Sequence, residues 1–116
     1  MRELLGMLGF TRIGEIVDQR IVYEVGAAER AGTGNAVYLF LNSDDTVWKI
    51  GMTRQGFGRV DYTRVFDGRA MRRPHEQRKL LLIREELEDG ATQWVLPTND
   101  DPELLEDLLI LDSPCR

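Results

Sequence analysis

Read from the first residue, the apolar positions form short runs separated by charged or Gly-rich breaks. Residues 1–9 hold an apolar, helix-compatible segment, and residues 12–17 and 20–25 alternate branched apolar with polar side chains on either side of Asp18 and Gln19. That pattern predicts a helix followed by a β-hairpin. Residues 26–35 are rich in Gly, Ala and Thr and follow neither period, so they read as a surface loop. Residues 36–41 and 46–51 are dense in β-branched and aromatic side chains and flank Asn42, Ser43, Asp44 and Asp45, which predicts a second and central hairpin.

Beyond it the spacing lengthens. Val60, Tyr62 or Thr63, and Phe66 fall at roughly helical intervals, predicting a short helix that starts near Gly58. After a loop at 68–73, Pro74 suits the first position of a helix reaching Asp89, with Gly90 as its stop and Leu80, Ile83 and Leu87 on its apolar face. Residues 92–96 read as a strand, and Asp100 or Asp101 would cap a last helix opening with Pro102 and continuing through Ile110. The order predicts an α/β (α+β) fold: a small, mainly antiparallel sheet flanked by helices. A length of 116 residues allows one domain, so residues 1–35 are expected as an N-terminal helix, hairpin and loop packed on a core formed by 36–116.

Charge changes this picture more than composition does. Residues 1–48 carry 4 Lys/Arg against 7 Asp/Glu, residues 49–79 carry 9 against 3, and residues 80–116 carry 2 against 10, so a net charge of −5 conceals a basic island. The island reads either as a phosphate-binding face or as a solvated helix whose arginines pair with the acidic last third. The single cysteine, Cys115, allows no intramolecular disulfide and no thiolate metal cage, and the single histidine, His75, has no second imidazole beside it and reads as a surface residue. With neither a long apolar span nor a signal-peptide pattern, a cytoplasmic location is expected.

Two adjacent strands carrying Ala36-Val37-Tyr38 and Lys49-Ile50-Gly51, followed eight residues after Gly51 by Arg59, resemble the signature of the GIY-YIG nuclease family. A typical member has a Gly-Ile/Val-Tyr strand, a Tyr-Ile/Val-Gly strand, a helix bearing Arg and, much later, a helix bearing Glu. The segment from Leu105 to Ile110 resembles that last helix, which puts Glu106 at the position of the metal-ligating glutamate. This chain departs from the pattern with Ala36 in place of Gly, Lys49 in place of the second Tyr, and a C-terminus of Asp112, Ser113, Pro114, Cys115 and Arg116 that lacks the usual ending, although Ser113-Pro114 resembles the short tail after the last helix.

The resemblance implies a GIY-YIG endonuclease-like fold with an N-terminal hairpin extension, and metal-dependent hydrolysis of DNA phosphodiesters by an endonuclease or nickase. Tyr38 would act as general base with Lys49 beside it, Arg59 would stabilise the phosphate, Tyr62 would contact the attacking water or a phosphate, and Glu106 would hold one Mg²⁺ or Mn²⁺. Arg54, Arg64, Arg69, Arg72, Arg73, Arg78 and Lys79 would line the path of the nucleic acid. One such site cuts one strand, so a double-strand break would require a homodimer or two successive events. The rival readings are a catalytically inactive nucleic-acid-binding or regulatory module on the same scaffold, and a protein-interaction domain whose acidic last third meets a basic partner.

Overall fold

A computed structural model of the chain describes residues 1–67, Ile83 and residues 86–99, with the backbone alone for Arg64 and Asp67. The expected loop at 68–73, most of the helix from Pro74, the last helix from Pro102, and with them His75, Leu80 and Cys115 lie outside the described residues.

Helix α1 (Arg2–Leu8) is followed by strands β1 (Thr11–Val17) and β2 (Arg20–Tyr23), helix α2 (Ala27–Ala31), strands β3 (Ala36–Leu41) and β4 (Val47–Thr53), helices α3 (Phe57–Val60) and α4 (Thr63–Asp67), and strand β5 (Thr92–Pro97). The strands form one antiparallel sheet in the order β2-β1-β5-β3-β4. The expected class, a small antiparallel sheet flanked by helices, is what the described residues form. The second hairpin is not central, however. Among the described strands β5, the last of them in sequence, occupies the middle, while β4 has only β3 beside it.

Local chemistry accounts for the turns. Helix α1 ends at Gly9, whose left-handed φ of 94° lets its own N–H cap the Gly6 carbonyl at 3.1 Å and the following Phe10 N–H cap the Leu5 carbonyl at 2.9 Å. The β1–β2 turn places Asp18 and Gln19 at φ of 51° and 60°, and the Asp89 carboxylate accepts both of their N–H groups at 3.1 Å. Two expectations need correction here. The segment read as a loop contains α2, because Ala27 and Ala31, one turn apart, bury against Ile13, Ala36 and Val95. The single short helix expected after Gly58 is two, because Asp61 is extended and its Oδ1 accepts the Thr63 N–H at 2.9 Å, starting a new helix.

Strand β3 is buried along nearly its whole length because both sheet faces are covered. On one face Val37, Leu39 and Leu41 meet Leu5, Phe10 and Val47. On the other, Phe40 packs with Ile16, Ile21, Tyr62, Phe66, Ile83 and Leu87. Two β-bulges set which residues face which side. In β1 the extra residue is Ile13, between Arg12 opposite Trp94 and Gly14 opposite Gln93. In β4 it is Trp48, between Val47 opposite Leu41 and Lys49 opposite Phe40. Strict alternation from Val47 would send Lys49 toward α1, whereas the bulge turns it to the face of Phe40 and Tyr62.

Candidate active site

The register builds the site one row at a time. Across the sheet, Tyr23 on β2 lies opposite Gly14 on β1, Gly14 opposite Gln93 on β5, Gln93 opposite Phe40 on β3, and Phe40 opposite Lys49 on β4. Directly opposed residues of an antiparallel pair share a face, so these five form one line. Tyr62, from the link between α3 and α4, lies over it with its ring 5.0 Å from Phe40 and 73° to it.

In the next row Tyr38 is opposite Gly51. A β-carbon on Gly51 would lie 2.5 Å from Tyr38 Cζ and 2.6 Å from its hydroxyl. The glycine of the Lys49-Ile50-Gly51 strand is therefore the space across which the Tyr38 ring passes. Tyr38 and Tyr62 meet edge-on with centroids 6.0 Å apart, their hydroxyl oxygens are 3.3 Å apart, and Lys49 Nζ donates to the Tyr62 hydroxyl at 3.4 Å. Lys49 thus reaches Tyr38 through Tyr62. Burial pushes the Tyr62 phenol above its ordinary value, with the hydrogen bond to Tyr38 pulling partly the other way.

Arg59 is exposed on α3, where its Nε donates to Gln55 Oε1 at 2.9 Å, and it forms no ion pair among the described residues. It makes no hydrogen bond to Tyr38, Lys49 or Tyr62. Arg54 is exposed as well, with Nη1 3.9 Å from Met52 Sδ. Arg64 has its backbone in α4. Glu106, Arg69, Arg72, Arg73, Arg78 and Lys79 lie outside the described residues. Three of the four expected catalytic side chains therefore come together, with Arg59 on the helix that precedes Tyr62.

Two participants were not expected. The Tyr23 hydroxyl accepts the Tyr62 N–H at 2.9 Å and donates to the Val60 carbonyl at 3.1 Å, while Gln93, fully buried, donates to the same carbonyl at 2.9 Å. Burial raises the Tyr23 phenol far above its ordinary range. All three tyrosines of the chain thus belong to one network.

No three His, Cys, Asp or Glu side chains gather among the described residues. Phenols, an amine and an amide surround the tyrosines, a donor set that does not by itself hold a divalent ion. Among the described residues no helix is long and apolar enough to cross a membrane. Comparison of the chain with models of protein families, with curated proteins and with solved structures found no match.

Proposed function

We propose that the chain hydrolyses DNA phosphodiesters as a GIY-YIG-like endonuclease or nickase. The observation that carries this reading is the hydrogen-bonded line from Lys49 through Tyr62 to Tyr38. Because the Tyr62 oxygen accepts from Lys49, its own proton is available to Tyr38. A phenolate on Tyr38 is then the end of a donor chain that begins at a cation. Tyr62 is only 8% exposed and Tyr38 is less buried, so Tyr38 is the phenol of the pair that an attacking water can reach.

In this reading Tyr38 accepts a proton from the water that attacks phosphorus, and the Tyr62 hydroxyl stabilises the charge on Tyr38 before that transfer. Arg59, without an ion-pair partner among the described residues, offers its guanidinium to the nonbridging oxygens. A divalent ion, when bound, would neutralise charge at the phosphate, with Glu106 as its protein ligand. Lys49 in place of a second tyrosine acts through Tyr62, as a charge that orients a proton.

The test is nicking of supercoiled plasmid at low salt with Mg²⁺ or Mn²⁺, beside Tyr38→Phe, Glu106→Ala and an EDTA control. Loss of turnover by roughly 10²-fold or more in Tyr38→Phe, and its abolition by EDTA, supports the reading. Plasmid left intact but retarded equally in gels by every variant would sink the catalytic role and leave a binding module.

A further inference from the structure

We infer that Tyr23, backed by Gln93, is a positioning residue for Tyr62, which makes the N-terminal hairpin a working part of the site. The inference rests on the nuclease reading for its consequence, but the coupling itself stands on geometry.

Regular helical hydrogen bonding stops between α3 and α4, where Asp61 is extended. Such a break leaves a backbone carbonyl and an N–H that need partners. At this junction they find them in side chains of distant strands. Val60 C=O accepts from Tyr23 and Gln93, 37 and 33 residues away, and Tyr62 N–H donates to Tyr23. Tyr62 is therefore held at both ends, its backbone by Tyr23 at one end of the cross-strand row and its hydroxyl by Lys49 at the other. Movement of the junction would carry the Tyr62 hydroxyl away from Lys49 and Tyr38 together.

Packing around Tyr23 matches that task. Its ring stacks edge-on against Phe57 with centroids 5.1 Å apart, tying it to α3. It also crosses Gly14, where a β-carbon would lie 3.0 Å from Tyr23 Cδ1. Gln93 directs its Nε2 at Val60 although its Oε1 is buried without a partner among the described residues. A methionine would fill the same place and leave no orphan oxygen, so its amide is used for the bond it makes.

Two variants test this. Tyr23→Phe removes both hydroxyl bonds and keeps the ring, and Gln93→Met removes the second bond to Val60. The chain has three tyrosines, so ¹³Cζ-tyrosine NMR gives three resonances, which Tyr38→Phe and Tyr62→Phe assign. In Tyr23→Phe the Tyr62 and Tyr38 resonances should both shift, and plasmid nicking should lose roughly tenfold or more in kcat with KM within about twofold. Gln93→Met should do the same to a smaller extent, and it decides the matter if Tyr23→Phe does not fold. Resonances of Tyr62 and Tyr38 that stay at their wild-type positions overturn the inference, and so does a displaced Tyr62 with unchanged kcat. If wild-type protein nicks no plasmid, the nuclease reading fails separately, and the resonances alone decide the coupling.

Discussion

The two faces of the sheet are built from different materials. The α1 face is closed by Leu5, Phe10, Val37, Leu39, Leu41 and Val47, all apolar and buried. The opposite face buries Phe40, Phe66, Ile83 and Leu87 but threads Tyr23, Tyr38, Tyr62, Gln93 and Lys49 among them. An apolar face gains free energy in proportion to area and is indifferent to small rotations, whereas a polar network is favourable only when every donor meets its acceptor. Stability should therefore respond mainly to one face and chemistry to the other.

The largest break in that comparison comes from Leu39→Ala. Removing this fully buried side chain is predicted to cost about 2–5 kcal/mol in urea unfolding, with the tyrosines still in contact. Tyr38→Phe should reverse the pattern: its loss of nicking corresponds to about 2.7 kcal/mol or more on the barrier, and stability should change by less than about 1 kcal/mol. Equal effects of the two substitutions on stability would erase the distinction between the faces.

Alkaline pH sharpens it. Burial raises Tyr23 and Tyr62 in the folded protein above the ordinary value of 10.0, so above that pH the unfolded chain releases protons that the folded one retains. Stability should be full below pH 10 and fall as pH rises beyond it, by about 1.4 kcal/mol per pH unit for each retained proton. Urea midpoints measured from pH 9 to 11 check this, and Tyr62→Phe should flatten the slope. The smallest effect is at Asp89. Replacing it with Ala removes the acceptor for Asp18 and Gln19 N–H and should cost about 1 kcal/mol, without altering nicking.

Much of the fold was legible because it depends on short periods. The β3 run, the β1–β2 pair around Asp18 and Gln19, and the strand after Gly90 all signal themselves in neighbouring residues. Strand β4 was found but ends later than expected, at Thr53, because Met52 and Thr53 keep pairing with Val37 and Ala36. Helix α2 was missed because its inward face is two alanines, too small to register as a stripe.

The site was legible in part. Tyr38, Lys49, Arg59 and Tyr62 were singled out by the resemblance to a nuclease signature, but the side to which Lys49 points depends on the bulge at Trp48, which no alternation rule foresees. Tyr23 and Gln93 escaped because their partners lie more than 30 residues away along the chain. A glycine within a strand, Gly14 or Gly51, is the one local hint that a ring crosses there.

The bulged Trp48 has one more consequence. It lies edge-on to Phe40 with Nε1 donating to Glu86 at 2.9 Å, on the tyrosine face, whereas Trp94, the chain's second tryptophan, packs on the α1 face with Nε1 bonded to Thr92 Oγ1 at 2.8 Å. The protein therefore carries one tryptophan on each side of its sheet. Emission from a variant retaining only Trp48 follows events around the tyrosines, and emission from one retaining only Trp94 follows the apolar core, so binding and unfolding become separable by fluorescence of the two variants side by side.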